Sequence, residues 1–148
     1  MTTLVRFEGD RGWLEFRLER YEFKRASDYW DGNWIVGSIR SSLLEANPGR
    51  SELPVYFRTN ELAQLAQDLQ EFLTGDSQKV ETSHIEGQFG QVFERAGDRI
   101  MWSFWFDDQR DSKFVAEPTK MSRENADSSL AALEAVIRNY PIRGESFG

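Results

Sequence analysis

Cysteine is missing from the 148 residues of this chain, and histidine occurs once, at His84. Without thiols the chain has no disulfide framework, no thiolate zinc site and no cysteine nucleophile. A Ser-His-Asp triad would have to use His84, but its neighbour Ser83 points to the opposite face if both lie in a strand. We therefore expect a structural or exposed histidine and no catalytic residue, metal or cofactor, and we predict that the protein is not an enzyme.

Long apolar runs and an excess of basic charge are also absent. No run approaches the roughly 18 residues of a transmembrane helix, and the start of the chain lacks the basic and apolar regions of a signal peptide. The 18 basic and 25 acidic residues give a net charge of −7, which suits solubility or a basic protein partner but not a nucleic-acid backbone. We expect a cytoplasmic protein that binds neither membranes nor nucleic acids.

The composition favours a globular protein with an aromatic core. Hydrophobic residues make up 39% of the chain and aromatic residues 14%, which is too apolar for a disordered segment. The length predicts a single domain over residues 1–148.

Alternation of apolar and polar residues predicts an α+β fold. Strands are predicted at 4–8, 12–24, 34–40, 54–58, 80–86, 89–95, 99–106 and 113–117. A helix follows each set of four strands, one from 59 or 60 to 73 and one from between 122 and 128 to 140, and Asn47-Pro48-Gly49 marks a loop over 43–54. We predict a curved, mainly antiparallel sheet of about eight strands with two helices, in the order four strands–helix, four strands–helix. If strongly curved, such a sheet approaches a partly open barrel.

The second predicted strand changes its parity part-way. Leu14, Phe16 and Leu18 alternate in one register, whereas Tyr21 and Phe23 follow in the other. One extra residue near Glu19-Arg20 would keep both sets on the core face, so we predict a β-bulge there.

Three further segments carry specific predictions. The strand at 99–106 is apolar on both faces, so it should be central in the sheet and covered on both sides. The first helix has no lysine or arginine between Asn60 and Leu73, and its acidic face is either a solvated surface or a contact for a basic partner. The predicted buried stripes of the two helices consist of Leu62, Leu65, Leu69 and Phe72, and of Leu130, Leu133, Ile137 and Tyr140.

The stretch Ser27-Asp28-Tyr29-Trp30-Asp31-Gly32-Asn33-Trp34 joins two predicted strands and is rich in acidic and aromatic residues. Gly32 and Asn33 suit a chain reversal, so we predict that Asn33 and Trp34 fix the turn and the sheet. The outer residues are candidates for partner binding, together with an acidic cluster that follows the strand at 99–106. The candidate partner-binding residues are Asp28, Trp30, Asp31, Asp107, Asp108 and Asp111.

The turn Asp31-Gly32-Asn33-Trp34-Ile35 resembles that of the WapI-type immunity proteins of bacterial polymorphic-toxin systems. Thr59-x-Glu61-Leu62, the dipeptide Glu86-Gly87, the aromatic strand at 100–106 and the ending Tyr140-Pro141 are also similar to that family. The resemblance implies a non-enzymatic protein that binds and neutralises a cognate secreted toxin domain made by the same cell. The toxic domains of such systems are often nucleases.

The alternative prediction is a small-molecule-binding protein or minor hydrolase. It would use the concave, aromatic-rich face of the sheet, since five tryptophans either line such a cavity or fill the core. They are Trp13, Trp30, Trp34, Trp102 and Trp105.

Overall fold

The computed structural model describes residues 2–46, 52–107 and 113–144, which form nine strands and three helices. The strands are β1 (Thr3–Gly9), β2 (Gly12–Tyr21), β3 (Trp34–Ser41), β4 (Leu53–Arg58), β5 (Lys79–Ser83), β6 (Phe89–Ala96), β7 (Arg99–Asp107), β8 (Lys113–Val115) and β9 (Thr119–Met121). The helices are α1 (Ser42–Glu45), α2 (Thr59–Leu73) and α3 (Arg123–Asn139). The predicted α+β class and antiparallel pairing are confirmed.

The strands form two sheets, whereas we predicted one curved sheet. β1 to β4 make an antiparallel meander, and β5, β6 and β7 make a second one. β8 and β9 pair with the two ends of β7. The described strands are not closed into a barrel, because the two sheets pack face to face through their aromatic side chains.

Phenylalanines hold the two sheets together. The rings of Phe16 and Phe57 in the first sheet lie 5.1 Å and 5.8 Å from the ring of Phe89 in the second. Phe7 of β1 lies 6.1 Å from Phe93 of β6. These rings are buried. Their tilted and edge-to-face contacts fill the space between the two sheets.

The predicted β-bulge in β2 is confirmed. Leu18 lies opposite Gly37 of β3, and Arg20 lies opposite Val36, so Glu19 is the extra residue. The bulge lets Tyr21 pack against the core. Phe23 does not join the core as predicted, because β2 ends at Tyr21 and the Phe23 side chain is exposed.

Helix α2 buries the predicted stripe of Leu62, Leu65, Leu69 and Phe72. Its N-cap residue is Arg58 rather than Thr59 or Asn60. The backbone N–H of Arg58 donates a hydrogen bond to the carboxylate of Glu61, the third helical residue. This is one half of a capping box. The strand β4 therefore runs into the helix without an intervening loop.

Helix α3 begins at Arg123, as predicted, and the hydroxyl of Ser122 caps it by accepting the Asn125 N–H at 3.0 Å. Its buried stripe is shifted from the predicted one. Leu133 and Tyr140 are buried, and Leu130 and Ile137 pack at the margin of the core. The residues that we did not predict in this stripe are Ala126, Ser129 and Val136.

Two short elements and one strand face differ from prediction. Helix α1 lies in the segment predicted as a loop, whose Asn47-Pro48-Gly49 is outside the described residues, and β9 follows β8 where no strand was predicted. Strand β7 is central, between β6 and the pair β8 and β9. It is covered on one face only, because Met101, Ser103 and Trp105 are half-exposed.

Candidate functional site

The segment before β3 folds into a turn that Asp28 stabilises. Its carboxylate accepts the N–H of Asp31 at 3.0 Å, and its backbone carbonyl accepts the N–H of Gly32 at 2.9 Å. A side chain at Gly32 would collide with that same carbonyl. The turn therefore needs Asp28 and Gly32, while the carboxylates of Asp28 and Asp31 stay exposed.

Asn33 is buried and joins three parts of the chain. Its Nδ2 donates to the carbonyls of Tyr29, at 2.7 Å, and Arg143, at 3.0 Å. Its Oδ1 accepts the N–H of Arg143 at 2.8 Å, and its backbone carbonyl accepts the N–H of Thr59 at 3.0 Å. The predicted structural role of Asn33 is thus confirmed, because it fixes the turn to the start of α2 and to the C-terminal segment.

Arg58 lies between three aromatic rings from that turn. Its guanidinium is 5.3 Å from the ring centre of Tyr29, 5.4 Å from that of Trp30 and 5.1 Å from that of Trp34. It also donates to the Tyr29 carbonyl at 2.9 Å and to Asn60 Oδ1 at 3.1 Å. Cation–π contact and hydrogen bonds hold the rings in place, although 60% of Trp30 remains exposed.

Two further exposed apolar side chains lie on β4 and on the segment after β5. Tyr56 is 44% exposed and lies two residues before Arg58, on the same outer face of the strand. Ile85 is 59% exposed and follows His84, which contacts the Tyr56 carbonyl. We call Trp30, Trp34, Tyr56 and Ile85 the aromatic patch. Exposed tryptophan and tyrosine side chains are enriched in protein-binding surfaces.

His84 lies buried beneath the patch and is structural, as predicted. Its Nε2 lies 2.6 Å from the carbonyl oxygen of Tyr56, and its Nδ1 accepts the N–H of Glu86 at 3.3 Å. These partners assign the proton to Nε2, and the ring stacks on Phe89 at 4.8 Å. Backbone groups engage both nitrogens, so His84 joins β4 to the segment after β5 and presents no free base.

Glu61 fixes the position of Ile85 in the patch. Its Oε2 accepts the Ile85 N–H at 2.7 Å, and its Oε1 lies 3.9 Å from His84 Nε2. Burial raises the pKa of the Glu61 carboxyl, while the nearby His84 and the hydrogen bonds from Ile85 and Arg58 lower it. We did not predict Glu61 or Ile85, because the sequence does not show that the start of α2 meets the end of β5.

Of the remaining predicted residues, the structure describes only Asp107, which lies elsewhere. Asp107 ends β7, and its N–H bonds the carbonyl of Gln88, whose side-chain amide contacts Pro54 at 3.4 Å. Pro54 and Arg58 are at opposite ends of β4, roughly 13 Å apart at about 3.3 Å per residue. Asp107 is therefore not beside Asp28 and Asp31. Asp108 and Asp111 lie outside the described residues.

The five tryptophans do not line a common cavity. Trp102 is buried and donates from Nε1 to Gln91 Oε1 at 2.9 Å. Trp13 lies 4.3 Å from the guanidinium of Arg6. Trp105 contacts Lys113 at 4.7 Å, and Trp30 and Trp34 surround Arg58. Of the two alternatives, core filling holds for Trp102 alone, and the other four tryptophans are half-exposed or exposed.

Metal-binding clusters and membrane-spanning helices do not occur in the described ranges. No three acidic or histidine side chains there lie close enough together to hold a metal ion. No helix in the same ranges has the length and apolar character needed to cross a bilayer.

Comparison with protein families adds to this geometry. The model of the immunity protein WapI-like family matches residues 6–141. The chain belongs to this family. The match includes the turn at Asn33, both long helices and every strand that contributes to the aromatic patch. Membership supports an immunity-protein role and a protein toxin as the partner.

Comparisons with curated proteins and with solved structures add little to the family match. A search of curated proteins gives no match. Among solved structures, the chain is similar to one from the crystal structures of MRP1/MRP2 of Trypanosoma bruciei, with 12% identity and a TM-score of 0.45. That alignment covers 95% of this chain and 86% of the other.

Proposed function

We propose that this protein binds the toxic domain of a cognate secreted toxin in the cytoplasm and neutralises it without catalysis. Family membership supports the immunity role, and the aromatic patch supports the surface. The observation that carries the proposal is the position of Trp30, which is 60% exposed although its ring contacts Arg58. A large aromatic side chain held in one orientation and open to solvent suits a binding anchor.

The aromatic patch has the composition of a binding hot spot. Tryptophan, tyrosine and arginine dominate the residues whose loss weakens protein complexes most. Here Arg58 lies behind Trp30 and Trp34 and restrains them before the partner arrives. Because the rings are already ordered, binding loses less side-chain entropy than it would with free rotamers.

Acidic residues beside the patch give it a preference for a basic partner. Asp28 and Asp31 are exposed at one border, and the whole chain carries a net charge of −7. A toxin that cleaves nucleic acid has a basic surface, because it must bind phosphates. Charge attraction would then speed capture. Asp107, Asp108 and Asp111 stay proposed contacts for the partner.

The rival function has lost its main support. It required a concave face lined with tryptophans, and these residues lie in different surroundings. A hydrolase built on a histidine base would have to use His84, but both ring nitrogens of His84 contact backbone groups. The proposal of a binding protein accounts better for exposed aromatic residues on an outer surface.

A co-expression experiment tests the proposed function. The probe is the variable C-terminal domain encoded by a long toxin gene immediately upstream, on the same strand. We expect this domain to stop growth when induced alone and to be tolerated when the present chain is co-expressed. An unrelated immunity protein serves as the control. Growth arrest that persists with the chain present, at matched expression, would contradict the proposal.

A further inference from the structure

The outer edge of β5 offers unpaired peptide groups. Gln78 and His84 bond to β6 through the Gln78 carbonyl and the His84 N–H, and the antiparallel register places Val80 opposite Phe93 and Thr82 opposite Gln91. Residues of an antiparallel strand alternate in the edge to which their N–H and carbonyl point. The peptide groups of residues 79, 81 and 83 therefore point away from β6, toward helix α2.

A groove separates this edge from α2. It consists of two adjoining cavities of about 300 Å³ and 270 Å³, which share Asp68 of α2 and Glu81 of β5. The floor of the larger cavity is apolar. It is formed by Phe16, Leu62, Leu65 and Phe89. An apolar floor beside free backbone donors and acceptors suits an extended peptide, whose alternate side chains would point down and out.

The rim of the groove is acidic. Glu61, Asp68 and Glu81 border the larger cavity, and Glu71 borders the smaller one. Among the described residues that line the two cavities, Lys79 is the only lysine or arginine, and its ammonium already lies 3.1 Å from the Glu81 carboxylate. Helix α2 has no lysine or arginine. A segment carrying lysine or arginine would therefore complement this rim in charge.

We propose that the groove between β5 and α2 receives an extended, lysine- or arginine-bearing segment of the toxin domain, which pairs with β5 as an added strand. This inference rests on the proposed function and specifies how the partner binds. The groove lies next to Ile85 of the aromatic patch, because Glu61 lines the groove and its carboxylate accepts the Ile85 N–H at 2.7 Å. One partner thus contacts both surfaces, with Glu61 between them.

Amide hydrogen exchange, measured by NMR on the free chain and on its complex with the upstream-encoded domain, tests the added strand. In the free chain, the amides of Val80 and Thr82 should exchange slowly, and those of Glu81 and Ser83 quickly. In the complex, exchange at Glu81 and Ser83 should slow by at least tenfold. Unchanged exchange at these two amides in a complex that forms would overturn the inference and leave the proposed function standing.

Absence of any complex with the wild-type chain would instead contradict the proposed function itself. Protection of Glu81 and Ser83 in the free chain at high concentration would identify a second copy of this chain as the occupant. That result would also overturn the inference.

Charge reversal provides an independent test. We expect Asp68→Lys with Glu81→Lys to raise the Kd for the domain at least tenfold. The matched control is Glu124→Lys with Glu134→Lys, at two exposed positions of α3, which changes the net charge equally. Its effect on the Kd should stay within about threefold. Equal effects of the two double variants would show that the net charge of the chain acts on binding, rather than a contact in the groove. That result would overturn the inference.

Discussion

The side-chain amide of Asn33 and the backbone of Arg143 exchange two hydrogen bonds, at 2.8 Å and 3.0 Å, although the residues are 110 positions apart. Asn33 is buried and Arg143 is half-buried, so water competes little for these two bonds. The contact fixes the C-terminal segment against the turn that carries Trp30. The stability of the fold and the geometry of the aromatic patch are therefore linked through one side chain.

We expect Asn33→Ala to lower the free energy of unfolding by about 2–3 kcal/mol, since it removes three hydrogen bonds made by a buried side chain. Urea denaturation measures the change. Asp31→Ala, two residues earlier and exposed, is the control and should alter stability by about 0.5 kcal/mol or less. Similar losses in the two variants would contradict the structural role of Asn33.

Adding a side chain at Gly37 should also lower the stability of the fold, for a steric reason. It lies opposite Leu18 beside the bulge, and a Cβ there would overlap the carbonyl oxygen of Arg17 and approach the Phe57 ring to 2.9 Å. Gly37→Ala should cost about 3 kcal/mol, the upper range for overpacking. Gly97→Ala is the control, because its Cβ would meet no atom within 4 Å, so that only its positive φ acts, at a cost of about 1–2 kcal/mol. Thermal denaturation that ranks the two variants in the opposite order would contradict this account.

The buried carboxyl of Glu61 should make the free energy of unfolding depend on pH. Burial raises the pKa of its carboxyl above the ordinary value of 4.5, so the folded chain holds this proton more tightly than the unfolded chain. Its contribution to stability is complete below pH 4.5 and declines as the pH rises through the folded-state pKa. Glu61→Gln lacks this titration. We therefore expect the variant to gain stability relative to wild type as the pH rises above 4.5, measured by urea denaturation in a pH series. A constant difference between the two chains from pH 4 to pH 7 would contradict the assignment.

The sequence predicted those features that depend on neighbouring residues. The bulge at Glu19 follows from a change of parity within β2, and the buried stripe of α2 follows from helical spacing. The Ser122 cap lies within the predicted start of α3. β9 was missed because it has only three residues, buried Thr119 and Met121 with exposed Lys120 between them. Such a strand is too short to show a period. The split into two sheets was missed because the packing of Phe16 and Phe57 on Phe89 depends on how distant strands meet.

The candidate site was only half predictable, for the same reason. Trp30 and the acidic residues around it stand out in the sequence as a cluster next to a turn. Tyr56 and Ile85 lie in ordinary strand and turn contexts, and only folding joins their segments, through the contact of His84 with the Tyr56 carbonyl. A lone exposed tyrosine or isoleucine gives no signal of its own.

The acidic border of the patch predicts a change in association rate. The double substitution Asp28→Asn with Asp31→Asn removes two charges. It should keep the turn, because the amide oxygen introduced at position 28 can still accept the N–H of residue 31. We expect the association rate with the toxin domain to fall severalfold at low salt and its salt dependence to weaken. Surface plasmon resonance at two salt concentrations measures both. Glu124→Gln with Glu134→Gln changes the net charge equally, and an equal effect of that pair would remove Asp28 and Asp31 from the interface.

Titration calorimetry of the upstream-encoded toxin domain with the wild-type chain, Trp30→Ala and Val115→Ala tests the central claim most directly. Val115 is 65% exposed on β8 and serves as the control. We predict a one-to-one complex that Val115→Ala leaves unchanged and that Trp30→Ala weakens about thirtyfold, or about 2 kcal/mol. A wild-type chain that does not bind, or a Trp30→Ala variant that binds as tightly as wild type, would contradict the claim that the aromatic patch captures the toxin.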